Sequence, residues 1–179
     1  LNAKNDVINA DEIHFTKLIS FIKNLIENID KIILAVGTTS ARTIESLYWM
    51  GMKIVESQEP GAGSEKLTIE EISVRQWYPY KAAPVSISAK ESLQILLQWM
   101  KDNNADRLIA KTQIIIVPGY EFKIIKGLIT NFHQPQSTLL LLVAALVGDD
   151  WKKIYQHALN NNFRFLSYGD GSLLWKKNN

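Results

Sequence analysis

His133 has the side chain in this chain best suited to moving a proton near neutral pH, and it lies in a loop of other polar groups. The surrounding residues, Gly127–Leu139, read GLITNFHQPQSTL. Leu128, Ile129 and Thr130 predict a strand, Asn131, His133 and Gln134 a polar loop, and Ser137 or Thr138 the cap of an apolar helix from Leu139 to Val147. Strand–loop–helix junctions open at the carboxyl end of a sheet, where α/β proteins place ligands, and they leave helix N–H groups without internal acceptors.

A second junction of this design lies nearer the start. Lys31–Val36 (KIILAV) predicts a buried strand, followed by Gly37–Thr43 (GTTSART) and helix formers. Gly37 allows a tight turn; Thr38, Thr39 and Ser40 bring hydroxyls and backbone N–H groups to a helix start, and Arg42 adds a planar cationic fork. Such a corner suits a carboxylate or phosphate, and it equally reads as an ordinary capped turn. Its spacing matches neither the phosphate loop ending in Gly-Lys-Ser/Thr nor Gly-x-Gly-x-x-Gly. A third segment, Arg164–Ser172 (RFLSYGDGS), sets Asp170 between two glycines with Tyr168 beside it. Phe163, Phe165 and Leu166 predict a short strand or the approach to one, and Asp170 is expected to project from a sharp turn.

The elements that must position these groups follow from periodicity. Apolar spacing over residues 11–29 predicts an amphipathic helix, with His14 as a solvated first-turn residue. A helix over 41–50 is expected to stop before Gly51, with Lys53–Val55 as a strand. Residues 56–66, which hold Pro60, Gly61 and Gly63, predict a mobile loop. Trp77, Tyr78 and Tyr80 cluster ahead of Lys81, either as a satellite core or as faces for unpaired bases. Ser88 opens a helix running through Leu93, Leu96, Leu97 and Met100. Thr112–Val117 predicts a strand, Phe122–Ile125 with Leu128–Thr130 a hairpin, and Trp151–Leu159 a last helix. The pattern as a whole predicts one α/β domain over 1–179, a three-layer mixed sheet with helices on both faces and the motif loops converging at one edge.

With 179 residues, 46% of them hydrophobic, one compact core is affordable. The chain has no cysteine, so disulfide and thiolate-metal scaffolds are excluded, and no His/carboxylate spacing suggests a metal. The apolar run Leu139–Val147 is far short of the ~20 residues a membrane span needs, and no secretory signal is visible, so the cytoplasm is expected. Net charge is only +2; residues 1–100 hold 10 basic and 12 acidic side chains and residues 101–179 hold 10 and 6, a mild basic bias in the second part.

Taken together, VGTTSARTIES (36–46), PGYEFKIIKGLITNFHQPQSTLLLLVAALVG (118–148) and FRFLSYGD (163–170) resemble the S-adenosylmethionine:tRNA ribosyltransferase-isomerase family of queuosine biosynthesis, over roughly its second half. Gln134 stands where that family usually has Leu, and Gly171-Ser172 where it has an Ala-Met-like pair. The region 76–111 is longer than the family norm, and the family's N-terminal segment and inserted β-barrel domain have no counterpart, so the chain is expected to be the α/β part of a two-domain enzyme. The resemblance implies S-adenosylmethionine as co-substrate rather than cofactor, a tRNA anticodon loop as partner, no metal, and a monomer when intact. On this basis His133 and Asp170 are the candidate acid/base residues, with Arg42, Thr38, Thr39 and Ser40 (after Gly37) as an anion clamp. Asn131, Ser137 and Thr138 would shape the adenosine pocket, with Phe132, which equally reads as core, and Tyr168 as further substrate-binding candidates. The alternative is a non-catalytic or divergent domain that binds another adenosine-containing molecule.

Overall fold

A computed structural model describes residues 18–58, 67–82, 87–105, 113–134, 136–166 and 169–177. His14, most of the loop expected at 56–66, Thr112 and Tyr168 lie outside them. The elements run α1 (Leu18–Glu27), β1 (Leu34–Val36), α2 (Thr38–Ser57), α3 (Ile69–Ile72), a 3₁₀ turn (Tyr78–Tyr80), α4 (Ala89–Asp102), β2 (Gly127–Asn131), α5 (Thr138–Val147), α6 (Asp150–Asn160) and β3 (Gly171–Trp175). The sheet has the order β1-β2-β3, with β1 parallel and β3 antiparallel to β2, so the expected mixed direction is present.

Helix α2 organises the core. It is one helix of 20 residues, and the break expected at Gly51 with a strand at Lys53–Val55 does not occur. Gly51 serves a helix crossing instead: a Cβ there would lie 2.2 Å from the Ser92 carbonyl oxygen of α4. Ser92 Oγ, fully buried, donates to the Tyr48 carbonyl at 2.6 Å and ties the two helices at the crossing. A glycine that would weaken an isolated helix is kept because two backbones meet there. Helix α1 buries Leu18, Ile22 and Leu25 against α4.

The hairpin expected from Phe122–Ile125 is also absent, for a specific reason. The buried Glu45 carboxylate of α2 accepts the Lys123, Ile124 and Ile125 N–H groups at 2.8–2.9 Å, so those donors cannot enter a ladder. The antiparallel partner of β2 is β3. That strand begins at Gly171, so of the two readings of Phe163–Leu166, a strand or the approach to one, the second holds; Leu166 N donates to the Phe132 carbonyl. Residues 113–117 are extended, with Ile114 and Ile116 buried, but they bond irregularly to Val74 and Gln76 rather than joining the sheet.

The sheet is covered on one face among the described residues, not on both. Ala35, Leu128 and Leu174, in register across the three strands, are buried. Their neighbours Val36, Ile129 and Leu173, also in register, point the other way and are exposed, as is Trp175. Alternation puts these four on one face, with Leu34 and the Trp175 ring leaning over Gly127.

Candidate active site

The carboxyl ends of β1 and β2 and the start of β3 meet at one edge of the sheet, and all three sequence motifs feed it. Gly37 N donates to the Ile129 carbonyl at 2.8 Å, one step beyond the β1–β2 ladder. Asn131 pairs opposite Gly171, and Asn131 Nδ2 donates to the Gly169 carbonyl at 3.3 Å. Residues separated by more than a hundred positions thus share one corner, as the alternation of strands and helices predicted.

Gly37 has φ +88°, the left-handed region that glycine enters without strain, and a Cβ there would meet nothing within 4 Å. The requirement is therefore conformational, and the space in front of α2 is open. Gly37 is the N-cap, without a side-chain capping bond, so the Thr38, Thr39 and Ser40 hydroxyls do not fulfil the expected capping role at this helix. Helix geometry leaves the first-turn N–H groups without intrahelical acceptors, beside half-buried Thr39 and Ser40. At the second corner the expectation holds: Ser137 caps α5, its Oγ accepting Leu140 N at 3.2 Å.

Arg42, one turn into α2, donates from Nε to the Ile114 carbonyl at 2.9 Å. It shares a pocket of about 90 Å³ with Thr138, Leu139 and Leu142 of α5, Gln76, and residues 113–116. Arg42 of the expected anion clamp and Thr138 of the expected adenosine pocket are therefore brought together from helices nearly a hundred residues apart, while Thr38, Thr39 and Ser40 do not line this pocket. A pocket for a drug-sized molecule spans about 300–1,000 Å³, so this one suits a carboxylate- or phosphate-sized group, not a whole nucleoside.

His133 is half-buried, with Nε2 at 2.9 Å from Thr130 Oγ1, and its backbone N–H donates to the Tyr155 hydroxyl at 3.0 Å. Burial holds its pKa below the ordinary histidine value, which favours the neutral imidazole, a proton acceptor, at neutral pH. Among the described residues Nδ1 makes no hydrogen bond.

Asp170 is not free to project as the flanking glycines suggested. Its Oδ2 accepts Arg164 N at 2.8 Å, its own N–H donates to the Arg164 carbonyl at 2.9 Å, and Oδ1 lies 3.7 Å from the Arg164 guanidinium. This closes the loop before β3, and Gly169 is needed there because a Cβ would sit 2.3 Å from the Arg164 oxygen. Phe132 is a core residue, packed against Tyr155, Phe163 and Phe165, so it shapes the loop and presents no open face.

Sequence reasoning passed over Glu45. It lies in the most informative α2 segment, fully buried, and collects the Tyr120 hydroxyl as well as three backbone donors. Tyr120 in turn accepts from Trp49 Nε1 at 2.8 Å. Burial pushes the Glu45 carboxyl up while these four donors pull it back. A carboxylate among Ala41, Ile44, Tyr48 and Met52 on the apolar side of a helix was the available signal.

The class of protein is thus a mixed α/β domain that gathers its polar loops at the carboxyl end of a parallel strand pair. A family model described as "Queuosine biosynthesis protein" matches residues 12–174, and the chain belongs to that family. Among its relatives, the S-adenosylmethionine:tRNA ribosyltransferase-isomerase of Ruegeria pomeroyi is 58% identical over 64 residues, which is 35% of this chain and 18% of that protein. The enzyme of the same name from Polynucleobacter asymbioticus is 47% identical over 77 residues, 42% of this chain and 22% of that protein. The crystal structure of S-adenosylmethionine tRNA ribosyltransferase from Thermotoga maritima superposes with a TM-score of 0.50 at 27% identity, over 87% of this chain and 38% of that one. The matches thus span about a fifth of these two relatives and well under half of the solved enzyme.

Proposed function

We propose that this chain is the α/β part of a tRNA ribosyltransferase-isomerase. In this reading the ribosyl unit of S-adenosylmethionine is moved to the amine of a 7-aminomethyl-7-deazaguanine in a tRNA anticodon loop, giving epoxyqueuosine-tRNA in the cytoplasm. The observation that carries it is the meeting of the Gly37, Asn131–His133 and Gly169–Asp170 segments at one sheet edge.

The reaction joins the amine nitrogen to the ribosyl carbon frame, rearranges that frame to an epoxycyclopentanediol, and releases adenine and methionine. The sulfonium is its own leaving-group activation, so the protein must supply proton transfer and positioning. Neutral His133 is suited to accept a proton from the amine or the C5′ position, and its Thr130 and Tyr155 contacts orient it. Arg42 with Thr138 offers polar groups in a small, largely apolar pocket for the methionine carboxylate or an RNA phosphate. The α2 start favours negative charge, with Thr38, Thr39 and Ser40 around it. Asn131 and Ser137 shape the loop walls beside the nucleoside, and Asp170, fixed by Arg164, serves best as a brace that can also accept from a ribose hydroxyl.

Isothermal titration of the chain with S-adenosylmethionine tests this reading. Binding that Arg42→Ala weakens at least tenfold supports it. Heat-free titrations, with the chain shown folded by circular dichroism, would favour a divergent domain with another adenosine-containing ligand.

A further inference from the structure

The residues Arg75–Lys81 (RQWYPYK) follow the short helix α3 and divide their aromatic rings between two environments. Tyr78 turns inwards, its hydroxyl donating to Glu56 at 2.7 Å and its ring set edge-on to Trp49. Trp77 and Tyr80 turn outwards, 48% and 39% exposed, with ring centroids 5.8 Å apart. The expected satellite core is therefore realised by Tyr78 and, in part, by Tyr80, whose ring also meets the buried Tyr120 edge-on.

Tyr80 is held rigidly. Its hydroxyl donates to the Ile115 carbonyl at 3.2 Å and accepts Val117 N at 3.0 Å, and burial pushes its pKa up, so it keeps its proton. Ile115 and Gln76, on either side of this anchor, both line the pocket that holds Arg42 and Thr138. The exposed ring pair thus neighbours that pocket through Tyr80's bond to Ile115 and Trp77's chain neighbour Gln76, without lining it. Arg75 and Lys81, both exposed, bracket it with positive charge.

Two exposed aromatic faces, one of them fixed by backbone bonds and both flanked by cations, match the requirements of an unpaired nucleobase between phosphates. A protein partner would use the same apolar area, but it gains little from cations on both flanks. We propose that Trp77 and Tyr80, with Arg75 and Lys81, form a platform on which an unpaired base of an RNA strand stacks beside the Arg42–Thr138 pocket. The proposal rests on the reading of the chain as part of a tRNA-modifying enzyme and adds to it a place where the loop is held.

The experiment is fluorescence anisotropy of the chain with a labelled hairpin RNA carrying an unpaired loop, and with the matching loopless duplex. Trp77→Ala should weaken hairpin binding roughly 5–150-fold, Trp77→Phe much less, and duplex binding should hardly change. Arg75→Ala with Lys81→Ala should lower the salt dependence of hairpin binding. Circular dichroism melts confirm that each variant is folded, and S-adenosylmethionine titration of Trp77→Ala should match the unaltered chain. Hairpin affinity unmoved by Trp77→Ala, or no RNA binding by the unaltered chain, overturns the platform. Loss of S-adenosylmethionine binding by the unaltered chain would instead count against the functional reading, so the two failures are separable.

Discussion

At the scale of single residues, the two groups with most consequence are His133 and Glu45. Burial favours the neutral form of His133 in the folded state, so its contribution to stability is complete above about pH 6.5 and is lost as the pH falls through its lowered folded value. Urea denaturation at about pH 7.5 and pH 5.5 should therefore show a loss of stability that His133→Asn reduces. In the complete enzyme the same substitution should slow turnover roughly 10²–10⁴-fold while substrate affinity changes far less. Wild-type turnover with a lower melting temperature would assign His133 to bracing the loop. Glu45→Gln keeps the volume but sets an amide NH₂ against donors at whichever oxygen it replaces: Tyr120 and Lys123 on one side, Ile124 and Ile125 on the other. A loss of about 2–3 kcal/mol in urea denaturation is expected, because buried donors are left unmet. A change under about 0.5 kcal/mol would mean the 120–125 segment finds other acceptors.

At the scale of elements, the crossing of α2 and α4 decides more than helix propensity does. In an exposed helix Gly→Ala gains about 1 kcal/mol. Gly51→Ala instead puts a methyl group 2.2 Å from the Ser92 oxygen and 2.3 Å from its Oγ, so the helices must separate. Overpacking of this kind costs about 1–3 kcal/mol, enough to reverse the sign. Chemical denaturation of Gly51→Ala should show net destabilisation, and a stabilised variant would mean the crossing is loose. Separation of the helices would also shift Glu45, on the same helix as Gly51, and through it the approach to β2.

At the scale of the whole molecule, the described residues bury one face of a three-stranded sheet and leave Val36, Ile129, Leu173 and Trp175 open. The site pocket of about 90 Å³ is likewise smaller than a nucleoside needs. The chain aligns with 38% of the solved Thermotoga maritima enzyme. We therefore expect residues 1–179 to fold cooperatively and to form no modified tRNA on their own. Mass spectrometry of nucleosides from tRNA incubated with the chain and S-adenosylmethionine checks this; robust epoxyqueuosine formation would show that the site is complete as it stands.

The local chemistry of the site was legible because it depends on neighbours in sequence. A polar loop between a β-branched run and Ser137 before Leu139–Val147 is enough to write a strand, a loop and a capped helix, and all three are present. The alternation of such units also foretold that Gly37, Asn131 and Gly169–Asp170 would share an edge. Single residues and segments were misread where their partner was not visible in the local pattern. Gly51 resembles a helix stop until Ser92, 41 residues later, is seen against it. Asp170 looks free until the Arg164 backbone closes on it, and Phe122–Ile125 looks like a strand until Glu45 takes its N–H groups. Sequence pattern records what each segment prefers with water or an average core on its far side. Which donor meets which acceptor across 80 residues is fixed only when the helices pack.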